Sequence, residues 1–209
     1  MIFSTRAMTE NRAAGSPASI RVWTIGDIPD VRRIGWETWK ATYGRFIAEE
    51  DLRAYHDEHY SVDALTRNFH RPSTRGYMAL LGGNPAGYMV MSFNTKARRC
   101  NVASIYVLPE SQGHGLGSML MQEAFRAALE AKYDRVWLGV MSENSPTIAW
   151  YRALGFSFVE EAPFTMGRTT VRHLIGFRLL TPPVPPPVPP PDSTTNFHRS
   201  ARNDKAAGT

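Results

Sequence analysis

The alternation of apolar and polar residues predicts a series of short strands interrupted by helices between residues 20 and 180. Two-residue alternation or a short apolar run indicates a strand, and apolar residues spaced three or four positions apart indicate a helix. The predicted strands are residues 20–23, 77–81, 86–93, 101–107, 135–140, 156–159 and 171–180. Helices are predicted from a cap at 24–27 to about 43, and over residues 49–56, 61–69, 117–131 and 145–155.

Local signals support several of these boundaries. The segment Thr24 to Asp27 matches a capping pattern at the start of a helix, and Gly82 to Pro85 is typical of a hairpin turn. Ser145 is predicted to cap a short helix that ends at Gly155. Strands mixed with helices in this order predict an α/β or α+β fold, in which helices pack on the faces of one sheet.

Proline is distributed unevenly along the 209 residues and sets the last segment apart from the rest. Eight of the 15 prolines fall in residues 182–191, a composition that favours extended chain without a packed core. Residues 1–19 are small and polar without periodicity, and we expect them to be disordered. The sequence thus predicts one domain over residues 20–180, preceded by a disordered segment and followed by a disordered proline-rich tail over residues 181–209.

Charge and composition argue against several functions. The net charge of +5 is mild and no run of four Lys or Arg occurs, so we expect no nucleic-acid binding. No apolar run approaches the roughly 18 residues of a membrane span, and residues 1–18 lack the apolar stretch of a secretory signal. The one cysteine, Cys100, cannot form an internal disulfide or a cysteine-rich metal site. We therefore expect a cytoplasmic protein without a metal.

A predicted strand followed by three alternating glycines and a helix is the most informative stretch. Gly113, Gly115 and Gly117 follow the strand that ends near Val107. Glycine permits close backbone approach and positive φ, and the first turn of a helix presents unpaired N–H groups to an anion. The stretch predicts a phosphate site, with an unliganded turn as the alternative. It is no Walker loop, because no lysine follows the glycines, and Ser118 breaks the dinucleotide fingerprint.

Two motifs resemble the GNAT superfamily of acetyl-CoA-dependent N-acetyltransferases. The loop Gln112-Gly113-His114-Gly115-Leu116-Gly117 is similar to the family's Gln/Arg-x-x-Gly-x-Gly/Ala signature. Asn144, Tyr151 and Gly155-Phe156 are spaced as in the family's Asn-x(6)-Tyr-x-x-x-Gly-Phe segment. The resemblance covers about residues 20–180. It implies a mixed, mostly antiparallel sheet of six to seven strands with helices on both faces.

The resemblance implies that acetyl-CoA is the co-substrate and assigns residues to it. The pyrophosphate would be bound by backbone N–H groups of the loop: Gln112, Gly113, His114, Gly115, Leu116 and Gly117. The pantetheine would run beside the end of the preceding strand: Ile105, Tyr106 and Val107. Asn144 would hydrogen-bond the cofactor, and the Val107 N–H would face the acetyl carbonyl. His114 would place charge near the phosphates, or else lie in solvent.

By the same resemblance, Tyr151 is the catalytic acid that protonates the departing thiolate. Helix geometry places Tyr151 at the edge of the side that the predicted helix 145–155 turns toward the core. At such an edge a packed ring can present its hydroxyl to a cleft. A surface tyrosine is the alternative. The proton acceptor is not identified, because Asn101 and Gly139 stand where relatives often carry glutamate. His173, Glu37 and a chain of water molecules remain as candidates.

The predicted function is transfer of an acetyl group to a primary amine by direct attack. Trp39, Tyr43 and Tyr60 are expected near the acceptor, where aromatic faces can meet an amine cation, with core packing as the alternative. A small amine, a polyamine and a peptide or protein amine all stay open as acceptors, as does a homodimer. Two other functions compete: a cofactor-binding module without catalysis, and an interaction protein that binds a partner through the P-x-x-P sequence Pro182 to Pro185.

Overall fold

The structure, a computed structural model, describes residues 17–180. Seven strands occur in this range: β1 (Ala18–Val22), β2 (Thr74–Leu81), β3 (Asn84–Asn94), β4 (Arg99–Val107), β5 (Arg135–Met141), β6 (Ser157–Met166) and β7 (Thr169–Leu179). Five α-helices accompany them: α1 (Ile28–Tyr43), α2 (Glu49–His59), α3 (Val62–Phe69), α4 (Leu116–Glu130) and α5 (Ser145–Ala153). Short 3₁₀ turns, Ile25–Asp27 and Pro109–Ser111, precede α1 and α4.

All seven strands belong to one sheet, in the order β1-β2-β3-β4-β5-β7-β6. Neighbouring strands are antiparallel except β4 and β5, which run parallel. A parallel pair requires a crossover connection, and α4 lies within the one that joins these two strands. The predicted fold class, a mixed and mostly antiparallel sheet with helices on both faces, is confirmed.

Each face of the sheet packs against its own helices. On one face, α4 buries the apolar stripe that its sequence predicts: Leu116, Leu120, Ala124, Ala127 and Ala128. On the other face, Ile34 of α1 and Leu65 of α3 pack on Met78 and Tyr88. Because successive strand residues point to opposite faces, the sheet has a separate apolar layer toward each set of helices.

Two predicted boundaries near turns are wrong by one or two residues. β1 begins at Ala18, before the predicted start at Ile20. Helix α5 is capped by Asn144 rather than Ser145, since the Asn144 side-chain oxygen accepts a hydrogen bond from the Thr147 N–H at 3.4 Å. Asparagine and serine are both good caps, so the pattern alone does not separate adjacent candidates.

Strand β6 is much longer than predicted. It continues to Met166, whereas the sequence predicted its end at Val159. Glu160, Glu161 and Pro163 interrupt the apolar alternation in this stretch. An edge strand tolerates them, because only one of its sides pairs with a neighbour and the other needs no N–H donor.

Ala18 and Ser19, which the sequence predicted within the disordered segment, belong to β1. Residues 1–16 and 181–209 lie outside the described range, so disorder of these residues and binding through the P-x-x-P sequence stay predictions. No helix of residues 17–180 is both long enough and apolar enough to cross a membrane. The same residues hold no group of three or more His, Cys, Asp or Glu side chains arranged to bind a metal. Cys100 is a buried free thiol in β4.

An ion pair fixes the connection between β1 and α1. The Asp27 carboxylate accepts hydrogen bonds from two nitrogens of the Arg21 guanidinium, at 2.6 and 2.7 Å, and from the Thr24 N–H at 2.6 Å. Arg21 and then the Thr24 donors hold the pKa of Asp27 at about 2, below its ordinary value of 3.8. The cap predicted over residues 24–27 is therefore formed by the Asp27 side chain, with Arg21 as its partner.

We expect Asp27→Asn to lower the free energy of unfolding by about 1–2 kcal/mol at neutral pH, allowing for the partly exposed Arg21. Because folding depresses the pKa of Asp27, its contribution is present above roughly pH 4 and is lost as the pH falls toward about 2. Urea denaturation should show the variant and wild type converging over that interval. Asp63→Asn, an exposed acid in the first turn of α3, is the control and should change stability by under about 0.5 kcal/mol. A difference that is independent of pH would contradict the ion pair.

Candidate functional site

The sheet opens where β4 and β5 stop pairing. Only three residue pairs join the two strands: Cys100–Val136, Asn101–Trp137 and Val102–Leu138. Directly after them, β4 contains one extra residue, Ala103, because adjacent residues of β3 pair with Val102 and Ser104. A bulge of this kind bends the strand that carries it. The two parallel strands therefore separate toward their carboxyl ends.

A cavity of about 890 Å³ occupies this opening. Its wall combines both strands with the glycine loop and parts of α1, α4 and α5. Ten of the eleven predicted site residues line it: Ile105, Tyr106, Val107, Gln112, Gly113, Gly115, Leu116, Gly117, Asn144 and Tyr151. His114 is the predicted site residue that does not line it.

The end of β4 turns backbone groups toward the cavity. The Leu108 N–H donates to the Ala86 carbonyl at 2.9 Å, on the side of β3. The Val107 carbonyl instead accepts a hydrogen bond from the Gln112 side-chain amide at 3.2 Å. Because the N–H and C=O of one strand residue point to the same side, the Val107 N–H faces the gap that β5 has left.

The glycine loop owes its composition to backbone conformation. Gly113 and Gly115 have φ angles of +80° and +79°, and a Cβ at either position would meet no atom within 4 Å. Backbone strain, rather than crowding, therefore selects glycine at these positions. Gly115 is also the N-cap of α4 and has no side chain to bond the first turn. The N–H groups of residues 116–118 are consequently left for another acceptor.

His114 is exposed and turns back onto its own loop. Its Nδ1 lies 3.2 Å from the Ser111 carbonyl oxygen and 3.1 Å from that of Gln112. In the tautomer that carries a proton on Nδ1, the ring donates to these carbonyls. The side chain thus supports the shape of the loop from outside the cavity, which favours the solvent-exposed alternative for this residue.

Tyr151 is buried, which excludes a surface position. The residue is 4% exposed, and its ring packs between Trp150 and Phe156. Burial raises the pKa of the Tyr151 phenol well above its ordinary value, so the hydroxyl keeps its proton at neutral pH. Asn144, the cap of the same helix, also lines the cavity.

Aromatic side chains wall the other part of the cavity: Trp39, Tyr43, Tyr55, Tyr60, Tyr106 and Phe164. The Trp39 ring lies 4.9 Å from that of Tyr60 and 6.1 Å from that of Tyr106. The Tyr60 hydroxyl is hydrogen-bonded to the Ser104 hydroxyl at 3.0 Å, which ties the end of α2 to β4 beside its bulge. The aromatic residues predicted near the acceptor are therefore both core and cavity wall. Tyr55 and Phe164 carry no sequence signal, because they meet only when α2 packs on β6.

Of the side chains considered as proton acceptors, His173 is the one that lines the cavity. Glu37 lies on the exposed side of α1 and forms an ion pair with Arg33 at 3.6 Å. Asn101 and Gly139 line the cavity but carry no basic group. Within residues 17–180, no aspartate or glutamate contributes to the wall. Burial lowers the pKa of His173 below its ordinary value of 6.5, so its imidazole is neutral at pH 7.

Comparison with known proteins gives a consistent result. A family model described as the Acetyltransferase (GNAT) family matches residues 30–156. A streptothricin acetyltransferase from Streptomyces lavendulae is 36% identical over 76 residues, which are 36% of this chain and 40% of that protein. A spermidine N(1)-acetyltransferase from Thermoplasma acidophilum is 24% identical over 139 residues, 66% of this chain and 86% of that one.

The fold likewise matches a solved structure. The crystal structure of PaiA N-acetyltransferase from Thermoplasma acidophilum, in complex with coenzyme A, has a TM-score of 0.68 and 20% identity to this chain. The match covers 78% of this chain and 99% of that one. At this level of identity the likeness concerns the fold.

We expect Gly115→Ala to lower the free energy of unfolding by about 1 kcal/mol, because alanine is strained at positive φ. Gly83 in the β2–β3 turn also has a positive φ, +83°, and open space around it. Gly83→Ala is therefore a matched control with a similar cost in stability. Calorimetric titration with inorganic pyrophosphate should show weakened binding only for Gly115→Ala, whose strain displaces the N–H groups of the loop. Equal affinities in the two variants would contradict an anion site here.

Proposed function

Because the chain belongs to the acetyltransferase (GNAT) family, we propose that it transfers an acetyl group from acetyl-CoA to a primary amine. The observation that supports this best is one cavity with two unlike ends. Backbone N–H groups and a helix N-terminus lie at one end, and an aromatic wall lies at the other. Two reactants bound in one cavity are held close together in a fixed orientation, which removes most of the entropic cost of their encounter.

The donor would bind along the glycine loop and β4. Its pyrophosphate would accept hydrogen bonds from the loop and the first turn of α4, where Gly113 and Gly115 leave the approach open. Its pantetheine would take the place beside Ile105 to Val107 that β5 has vacated, and Asn144 would add a side-chain contact. The dipole of α4 favours the negative charge of the pyrophosphate. The exposed His114 would not be needed for this binding.

The acceptor amine would enter between the aromatic side chains. An amine cation over an aromatic face is stabilised by about 0.5–2 kcal/mol, and more as the site excludes water. The described part of the cavity wall offers no carboxylate, so each further cation of a polyamine would lose water without gaining a charged partner. A small primary amine with one positive charge is the acceptor class that this wall favours.

The reaction would join the amine nitrogen to the acetyl carbon and break the bond from that carbon to sulfur. The Val107 N–H would donate to the carbonyl oxygen as negative charge develops there. A single donor of this kind is worth about 3–4 kcal/mol. Tyr151, which burial keeps protonated, would transfer its proton to the departing sulfur.

A cofactor-binding module without catalysis is the second candidate. One observation favours it: Asn101 and Gly139 line the cavity, where neither can accept a proton. The two candidates differ in turnover. Release of free coenzyme A from acetyl-CoA, measured with a thiol reagent across a panel of amines, supports an enzyme. Tight binding of acetyl-CoA without release for any amine would support the module instead.

We expect Tyr151→Phe to lower kcat by about 10²-fold, because it removes the proton donor and keeps the ring. The KM for acetyl-CoA should change by less than about twofold. Tyr133→Phe is the matched control, since Tyr133 packs on Phe93 away from the cavity and should retain wild-type kcat. A Tyr151→Phe variant with wild-type kcat would show that the thiolate is protonated in another way.

We also expect kcat/KM for phenethylamine to exceed that for spermidine, because the described wall has aromatic faces and no carboxylates. The measurement is initial rates at saturating acetyl-CoA over a range of each amine. Tyr55→Leu should lower kcat/KM for phenethylamine by about tenfold through the loss of a cation–π contact, because Tyr55 lines the cavity and is partly exposed. Higher kcat/KM for spermidine would place the recognition of charge outside this wall.

A further inference from the structure

Gly139 of β5 leaves the space that the imidazole of His173 occupies. A Cβ built on Gly139 would lie 2.9 Å from Nδ1 and 3.0 Å from Nε2 of His173, with Cε1 closer still. Real side chains do not tolerate such distances. The imidazole therefore lies directly over the Gly139 backbone, and any larger residue at position 139 would displace it.

The strand register explains this contact. His173 of β7 is paired with Met141 of β5, and Gly139 is paired with Ile175, two positions further along. Both residues consequently point to the same face of the sheet. On the other side of β7, the Phe164 ring of β6 lies 5.0 Å from the imidazole. The ring is thus held between Gly139 and Phe164 in the wall of the cavity.

We propose that His173 is the catalytic proton acceptor for the amine and that Gly139 is the positioning residue that admits it. The inference rests on the proposed function. It assigns the proton step that neither Asn101 nor Gly139 can perform. His173 lines the cavity, and Glu37 is turned to solvent and engaged with Arg33.

Two protons leave the acceptor nitrogen during the proposed reaction. The ammonium form of the acceptor gives one proton to a neutral nitrogen of His173, which releases it to solvent through the cavity mouth. The free amine then attacks the acetyl carbon, and the carbon–sulfur bond breaks. The thiolate takes a proton from Tyr151, and the second proton of the amine returns Tyr151 to its neutral form. One acetamide, one thiol and one solvent proton result.

The surroundings of His173 suit a neutral imidazole. Desolvation alone lowers its pKa, with no contribution from a neighbouring charge or hydrogen-bond donor. From β5 and β6 it meets the apolar residues Met141 and Phe164 together with Gly139. The titratable and charged side chains that share the described cavity wall with it are Tyr43, Tyr55, Tyr60, Tyr106, Tyr151 and Arg99. Burial raises the pKa of all five tyrosines, so they stay neutral while His173 titrates.

The test is His173→Gln, compared with wild type in the full chain over a range of pH. Wild-type kcat/KM for an alkylamine should be flat from about pH 6.5 to the pKa of the amine, since the enzyme removes the proton itself. Below that range it should fall as His173 becomes protonated. The variant must use amine that is already neutral, so its kcat/KM should rise about tenfold per pH unit. At pH 7 we expect a loss of about 10²-fold.

Amines of different basicity separate this role from a structural one. A weakly basic acceptor such as trifluoroethylamine is mostly neutral at pH 7, so the loss in His173→Gln should shrink to within about threefold. A merely structural defect would reduce both amines by the same factor. Thermal unfolding of the variant checks that the fold is retained.

Gly139→Ala supplies a second test. Its methyl group must push the imidazole aside, so the variant should show the steep pH profile of His173→Gln. In the His173→Ala background no ring is in the way, and adding Gly139→Ala should change kcat/KM by less than about twofold. Full additivity of the two losses would overturn the positioning of His173 by Gly139.

The outcomes distinguish this inference from the proposed function. If wild type releases no coenzyme A with any amine, the proposed function fails. If wild type is active and His173→Gln keeps both its rate and its flat pH profile, the function stands and the assignment of His173 is overturned.

Discussion

The separation of β4 from β5 is the constraint on which the rest of the site depends. Had the two strands remained paired beyond Val102 and Leu138, the backbone groups of both would have been satisfied within the sheet. A buried polar group without a partner costs about 1–3 kcal/mol. An extended ligand that carries amide groups can recover this cost along Val107 and its neighbours. Affinity for such a ligand would therefore come from the main chain and would depend little on the side chains there.

The polar groups in the described cavity wall are mainly dipoles rather than formally charged side chains. Arg99, stacked on Trp137 at 4.0 Å, is the one permanently charged side chain in the part of the wall that the structure describes. The remaining polar groups include hydroxyls, amides, a neutral imidazole and the N-terminus of α4. In a site of low dielectric, fixed dipoles act more strongly than they would in water. Under the proposed function, the two ends would consequently separate an anionic donor from a cationic acceptor without ion pairs that would need to be broken.

The features that could be predicted from sequence depend on neighbours along the chain. The glycine loop follows from the backbone needs of Gly113 and Gly115, and the packed position of Tyr151 follows from the period of one helix. Features that could not be predicted depend on contacts through space. The bulge at Ala103 is visible only against β3, and the fit of His173 over Gly139 requires the register of β5 and β7. No local pattern marks either of them.

Strand β6 has a consequence for how the molecule behaves at high concentration. As the last strand of the sheet, it has one side that no other strand of residues 17–180 covers, and such a side invites β pairing between molecules. Glu160 and Glu161 place two exposed charges there, and Pro163 lacks the N–H that an added strand would need. The residues that interrupt the apolar alternation of this strand thus protect its edge against intermolecular strand addition and aggregation.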